Sequence, residues 1–271
     1  MARSSLSNRI RVNRQRVEHL VQRVLGGMGL VGLRRSTFEE LHEFQSKGRV
    51  LEMLRFWQPS VGWDEIEKAL AASTSQLQQD LLALLSSRFK KGGYFVEFGA
   101  TNGVTLSNTF MLEKTYGWSG ILAEPAKMWT ESLRENRDAH IVDKAVWSRS
   151  GEVIDFFEQG ELSTLSGFEE GHHKQDFSAR YPVETVSLSD LLDKQGAPEF
   201  IDFLSIDTEG SELEILSSFD FSRYRFGLIA VEHGRSQDRS MLLSLLESFG
   251  YVRILNSVSG WDDWYVPTPM K

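Results

Sequence analysis

Three acids and a histidine sit where apolar runs end, and they are the residues best placed to do chemistry. Leu204-Ser205-Ile206 delivers Asp207, followed by Thr208-Glu209-Gly210-Ser211-Glu212, and Ala230-Val231 delivers Glu232 and His233. An acid ending a run this apolar needs a partner, because an unpaired charge is costly away from water. Histidine titrates near neutral pH, so His233 at a strand end beside acids is the candidate general base for a hydroxyl under attack. Asp207 and Glu209 are the candidates to work with it. Asp207 with Glu232, or with Glu209, could also hold a hard divalent cation such as Mg2+, which would acidify the hydroxyl. Each reading has a plainer alternative. A lone His is more often structural, Ser211 and Glu214 have capping-box spacing, and Glu212 fits a helix start as well as a site.

A second constellation lies at Gly93-Tyr94-Phe95-Val96-Glu97-Phe98-Gly99-Ala100-Thr101-Asn102-Gly103. A short apolar strand runs into a glycine-bounded turn, and a helix is expected over about 104–116, with Asn, Thr and Ser near its start. That is the first strand-helix unit of a doubly wound α/β domain, where a cofactor sits at the carboxyl end of the strand. Gly99 and Gly103 let the backbone turn tightly and approach a ligand. A dinucleotide fingerprint wants Gly-x-Gly-x-x-Gly, and Thr101 and Val104 stand where its later glycines belong. Glu97 would favour a cation over a pyrophosphate, which points to the methionyl amino group of S-adenosylmethionine (SAM), held directly or through water. Glu97, Gly99, Ala100, Thr101, Asn102, Gly103 and Ser107 are therefore the candidate contacts at this turn. The alternative is a purely structural turn.

Two further strand ends complete the expected cofactor site. Ile121-Leu122-Ala123-Glu124-Pro125 places Glu124 where a carboxylate accepts both ribose hydroxyls, with Pro125 beside it. NAD and SAM share a ribose, so Glu124 supports a nucleoside without choosing between them; a merely exposed strand-end acid is its alternative. Asp143, Ala145 and Val146 end a strand expected over 140–146, where the adenine would lie. His172 and His173 fall in a polar stretch, 167–181, that reads as a lid or substrate loop rather than a metal site.

The elements that must position these residues alternate from Tyr94 onward. Strands are expected at 94–99, 120–124, 140–146, 200–206 and 226–231, with shorter β-rich pieces at 153–157 and 183–186. Helices are expected at about 126–136, up to 216, and 239–249. This order argues for a mostly parallel, doubly wound (Rossmann-like) α/β sheet. Tyr251–Leu255 and Trp264–Val266 could close it as a terminal hairpin, the feature that separates a SAM-methyltransferase sheet from a dehydrogenase sheet. Upstream, residues 1–72 read as a helical, basic N-terminal arm or cap and 73–271 as the catalytic domain. Ser36-Thr37-Phe38-Glu39 offers a capping box for a short helix to about Gln45.

Composition narrows the classes. The chain has 271 residues, no cysteine and a net charge of −8, which excludes disulfides, Cys-ligated zinc and a thiol nucleophile. No apolar run approaches the roughly 20 residues that span a bilayer, and no signal-peptide core is present, so a cytoplasmic location is expected. Residues 1–35 nevertheless carry eight Arg against the single acid Glu18. The body is thus acidic and no partner for nucleic acid, whereas the arm could touch anionic lipid, a phosphorylated substrate or a protein partner, reads also as an Arg- and Ser-rich organelle transit peptide does, or is simply a solvated helix.

Taken together, Val96–Gly103, Ile121–Pro125, Ala145-Val146 and Ile206-Asp207-Thr208-Glu209-Gly210-Ser211-Glu212 resemble the FkbM family of SAM-dependent methyltransferases. Ser75-Gln76-Leu77-Gln78-Gln79-Asp80 upstream also resembles it, and the likeness covers roughly 73–266. The resemblance implies a class I methyltransferase sheet and O-methylation of a hydroxyl, often on a sugar or a glycosylated natural product. A small-molecule or saccharide acceptor is then the expected partner. Two other classes remain in view: a non-catalytic nucleoside-binding scaffold recruited through the basic arm, and a dinucleotide oxidoreductase, which Thr101 and Val104 disfavour.

Overall fold

Four apolar runs carry the molecule, because strands buried on both faces of a parallel sheet read as continuous hydrophobic stretches. The structure, a computed structural model, describes residues 35–168, 177–233 and 236–268. Seven strands form one sheet: β1 (Tyr94–Phe98), β2 (Ser119–Ala123), β3 (His140–Val142), β8 (Phe200–Ile206), β9 (Arg225–Glu232), β10 (Tyr251–Ile254) and β11 (Asp262–Pro267). Their spatial order is β10-β11-β9-β8-β1-β2-β3. The strands from β9 to β3 pair in parallel, while β11 is antiparallel to both β9 and β10. The expected doubly wound sheet with a terminal hairpin is what the chain forms.

The core lies on both faces of this sheet. Phe95, Leu122, Phe203, Leu228, Ala230 and Trp264 belong to one buried cluster, and Val96, Phe98, Ile121, Leu204, Ile206, Ile229, Val231 and Tyr265 to another. The period of two along each strand sorts them. Each fully buried Phe contributes about 1.5–3 kcal/mol of transfer free energy, so this sheet is a rigid platform for whatever stands at its carboxyl ends.

The expected strand 140–146 is two strands in two sheets. β3 ends at Val142, and β4 (Ala145–Trp147) starts a four-stranded sheet with β5 (Val153–Glu158), β6 (Thr164–Leu165) and β7 (Ala179–Ser187), in the order β4-β7-β5-β6. Between them Asp143 is exposed and Lys144 pairs with Glu184 of β7. A charged pair at the break leaves no apolar reason for the strand to run straight on.

The helices are α1 (Arg35–Trp57), α2 (Trp63–Ala72), α3 (Gln79–Ser86), α4 (Phe110–Tyr116), α5 (Thr130–Asn136), α6 (Leu188–Lys194), α7 (Glu212–Ser217) and α8 (Ser236–Ser248). The first is longer than the capping-box reading gives, and α4 starts six residues later than expected, leaving 99–109 as an irregular loop. The chain divides into two compact units, Met1–Gly48 and Arg49–Lys271. Residues 49–72, expected in the arm, fall in the second of these units. No described helix is long and apolar enough to cross a membrane. The expectations for the basic segment up to residue 34 and for His172 and His173 lie outside the described residues.

Candidate functional site

The carboxyl ends of β1, β2 and β8, together with the start of β11 and the second sheet, line a cavity that opens to solvent. The close fit at its floor starts with Gly99. A Cβ there would lie 2.1 Å from the backbone oxygen of Asp207, and its φ is +73°. Only glycine lets the β1 turn lie against the end of β8.

Thr101 occupies the position where a SAM site commonly has its middle glycine, and its φ of 48° is left-handed. The local cost for a non-glycine residue there is offset by its N–H, which donates to Glu124 Oε2 at 2.8 Å. The other oxygen of Glu124 accepts from the Ala126 N–H at 2.8 Å. Burial pushes the Glu124 carboxyl up to about 7, against these two backbone donors. Each oxygen keeps a lone pair, so Glu124 remains able to accept from a diol. Pro125, Ala145 and Val146 line the cavity beside it as expected, joined by Phe156 and Leu165 of the second sheet.

Several expected contacts serve elsewhere. Glu97 lines the cavity, but its carboxylate accepts from Ser107 Oγ (3.0 Å), the Asn108 N–H (2.6 Å) and Thr109 Oγ1 (2.5 Å), with the Arg137 guanidinium at 3.7 Å. Burial pushes its carboxyl up, and Arg137 and these donors pull it back. Glu97 thus holds the loop. Ser107 is buried in the same network, where its hydroxyl also accepts from Arg137 at 3.1 Å. Asn102 stays local, its Oδ1 accepting from the Val104 and Thr105 N–H groups. Gly103 packs on Arg137 and Leu133, Ala100 sits in the core, and exposed Asp143 is off the wall. The cause is shared: the loop folds on itself rather than starting a helix, so its polar side chains satisfy its own backbone.

Strand parity separates the acids from the histidine. Ser205, Asp207 and Glu232 continue the face of Phe203, Leu228 and Ala230, while His233 continues the face of Ile229 and Val231. The register of β11 agrees, with Asp262 opposite Glu232 and Asp263 opposite Val231. His233 accordingly lies off the cavity wall, its Nε2 buried without a hydrogen bond and 4.0 Å from Asp263 Oδ1. Burial and Arg239 hold its imidazole below the usual histidine range. The expectation of His233 as base is corrected here: an odd step along β9 turns it to the other side of the sheet.

The acids do converge. One carboxylate oxygen each from Asp207, Glu209 and Glu232 lies within 4.8 Å of the others. Asp207 and Glu209 are on the wall; Glu232 reaches the cluster without lining the cavity. Asp207 is open to solvent through the cavity yet surrounded by protein on its other sides. Burial and repulsion from neighbouring acids push Glu209 and Glu232 well above the ordinary carboxylate range; burial pushes Asp207 up too, against a hydrogen bond with Glu232. Glu209 has a left-handed φ of 57°, and backbone strain of this kind clusters at functional sites. Glu212 is its support: Oε1 accepts from the Thr208 N–H (2.8 Å), Thr208 Oγ1 (2.9 Å) and the Gly210 N–H (3.2 Å). Ser211, the residue before α7, makes no side-chain cap, so Glu212 rather than a Ser211–Glu214 box holds the turn.

The far wall was not legible in the sequence as a site. Asp262 Oδ2 accepts from Gln79 Nε2 at 2.7 Å and Trp264 Nε1 at 3.4 Å, and burial pushes its carboxyl up to about 7. Gln76, Asn108 and Trp261 line the cavity with it. The signal that would have found Asp262 is the register of β11 against β9, which a strand begun at Trp264 conceals. Among the described residues, the cavity wall holds six acids (Glu97, Glu124, Glu161, Asp207, Glu209, Asp262) and no Lys, Arg or His. Such a wall offers a pyrophosphate no cationic partner, and its carboxyls, once ionised, suit a cationic ligand.

Comparison with known proteins identifies the family. The methyltransferase FkbM domain matches residues 97–253, more than half of the chain. Among solved structures, the chain is similar to the methyltransferase FkbM from Methylobacillus flagellatus KT, at 14% identity and a TM-score of 0.42, covering 75% of this chain and 59% of that one. It is also similar to precorrin-6y C5,15-methyltransferase from Geobacter metallireducens GS-15, at 13% identity and a TM-score of 0.38, covering 64% and 72%. A SAM-dependent methyltransferase from Aquifex aeolicus matches at 10% identity and a TM-score of 0.35, covering 76% and 98%. No curated protein matches the sequence. The chain belongs to the FkbM family of SAM-dependent methyltransferases.

Proposed function

We propose that the protein transfers the methyl of SAM to a hydroxyl, on a sugar or a glycosylated small molecule, with the strand-end carboxylates in place of His233 as the proton acceptor. The observation that carries this reading is the wall itself: six acids, no basic side chain, and two of the three converging carboxylates on its surface. Bound SAM supplies a methyl group activated by a sulfonium sulfur. Glu124 accepts hydrogen bonds from the ribose hydroxyls, and Ala145, Val146, Phe156 and Leu165 offer the base an apolar slot. Asn108 replaces Glu97 as the acceptor for the methionyl amino group, because its buried Oδ1 has no partner among the described residues while Glu97 has three donors. Its Nδ2 donates to Ser205 Oγ at 2.9 Å, which fixes the amide.

In-line displacement needs the acceptor oxygen aligned with methyl and sulfur, and positioning supplies much of the acceleration. Glu209, on the wall and beside Asp207, takes the hydroxyl proton. A second reading rests on the same convergence: Asp207, Glu209 and Glu232 would bind a divalent cation once deprotonated, and the cation would acidify the hydroxyl directly. Transfer of labelled methyl from SAM to a panel of sugars and glycosides tests the reaction, and repeating it in EDTA separates the two versions. Loss of transfer in EDTA, restored by Mg2+, selects the cation. No labelled hydroxyl product from any member of the panel rejects O-methylation. The basic segment 1–35 carries an additional proposal, contact with an anionic membrane or partner surface, on charge alone.

A further inference from the structure

The sheet order arranges the cavity as a line. From β2 to β11 the strands run β2-β1-β8-β9-β11, four inter-strand steps, or about 19 Å at the usual 4.8 Å spacing. Glu124 stands at the β2 end, Asp207 in the middle, and Asp262 at the β11 end. With the nucleoside at β2 and the reacting centre over β8, the β11 end is left for the second substrate. We propose that Gln76, Gln79, Trp261 and Asp262 form an acceptor subsite for a polyhydroxylated ring carrying no negative charge. The proposal rests on the hydroxyl-methylation reading above and adds which residues hold the acceptor and which charge they refuse.

The hydrogen-bond inventory of these residues matches a sugar. Gln79 Oε1 accepts from the Leu77 N–H at 2.8 Å, and one Nε2 hydrogen goes to Asp262 Oδ2 at 2.7 Å. This fixes both side chains and leaves the second Nε2 hydrogen as a donor and Asp262 Oδ1 as an acceptor. One rigid donor beside one rigid acceptor is the complement of a hydroxyl, or of two adjacent ones. Trp261 is half-buried on the same wall and offers a flat apolar face to the ring. Asp262, Asp207 and Glu209, with no basic side chain lining the cavity, offer the carboxylate of a uronate or the phosphate of a phosphorylated sugar no cationic partner to replace its water. Specificity against anions is therefore built into the wall rather than into one contact.

Saturation-transfer NMR on the protein saturated with S-adenosylhomocysteine (SAH) tests this, with methyl glucopyranoside, glucosamine and glucuronate as probes. Transfer to methyl glucopyranoside and glucosamine is expected, with glucuronate at least about tenfold weaker. Trp261→Ala and Asp262→Asn should each weaken the two sugars about tenfold while leaving SAH affinity within about twofold. Trp261→Ala keeps the test decisive if Asp262→Asn fails to fold. Glucuronate binding as strongly as glucosamine, no transfer to any of the three, or wild-type sugar affinity in Trp261→Ala overturns the subsite. Sugars that bind by these rules yet take no methyl from SAM would overturn the hydroxyl-methylation reading instead.

Discussion

The two halves of the cavity wall handle buried acid in opposite ways. At β1 and β2 each carboxylate is surrounded by donors: Glu97 by a loop and Arg137, Glu124 by two backbone N–H groups. At β8 and β9 Asp207, Glu209 and Glu232 face one another with no cationic side chain among the lining residues. The first half is a preorganised frame, whose hydrogen bonds offset part of the cost of burying its acids. The second stores unfavourable electrostatics until a ligand arrives, which is how reactive groups are kept at perturbed pKa. Substitutions should therefore break stability on one side and turnover on the other.

The largest effect is expected at Arg137. Its side chain is fully buried between Glu97 and Glu113, and removing one partner of a buried pair costs about 3–5 kcal/mol. Arg137→Met should lower the urea midpoint accordingly; a midpoint within experimental error of wild type would break the frame half of the comparison. Glu209→Gln comes next. Methyl transfer should fall about 10²–10⁴-fold, the range for a lost general base, with SAH affinity and thermal stability unchanged or slightly raised by relief of repulsion. Equal losses in binding and rate would place Glu209 in the frame.

A smaller effect follows from Glu124, raised by burial to about 7. Ribose hydroxyls donate to the carboxylate form, so SAH should bind about tenfold more tightly at pH 8 than at pH 6, measured by calorimetry. The same shift runs the other way for folding. An acid whose pKa is raised in the native state costs stability as pH rises from its unfolded value, near 4.5, toward 7. The smallest effect is expected at His233, turned to the other face: His233→Ala should change kcat less than about twofold, and a hundredfold loss would restore it as the base.

The sequence makes the frame legible and the reactive half only partly so. The apolar runs ending at Phe98, Ala123, Ile206 and Val231 mark the strands, and Glu124 and Asp207 follow them directly, because a parallel strand carries its own hydrophobic signature. What a linear reading loses is sidedness. Glu232 and His233 are neighbours in sequence but face opposite sides of a sheet, and only the β11 register, which brings Asp262 across from Glu232, decides between them. Loop 99–109 is lost for a related reason: its polar residues look like a helix start with ligand contacts, and their true partners, Arg137 and Glu97 among them, come from other elements. Gln79 and Asp262 meet across 183 positions, a pairing that no local pattern announces.

The proposed chemistry centres on one cavity that takes a nucleoside through Glu124. Calorimetry with SAH on the wild type and on Glu124→Gln, with NAD as the anionic control, tests it most directly. Loss of a hydrogen bond to a charged group is worth about 1.5–3 kcal/mol, so the variant should bind SAH about 10- to 100-fold more weakly, and NAD should bind neither protein. Undiminished SAH affinity in Glu124→Gln, or NAD binding to the wild type, would contradict it.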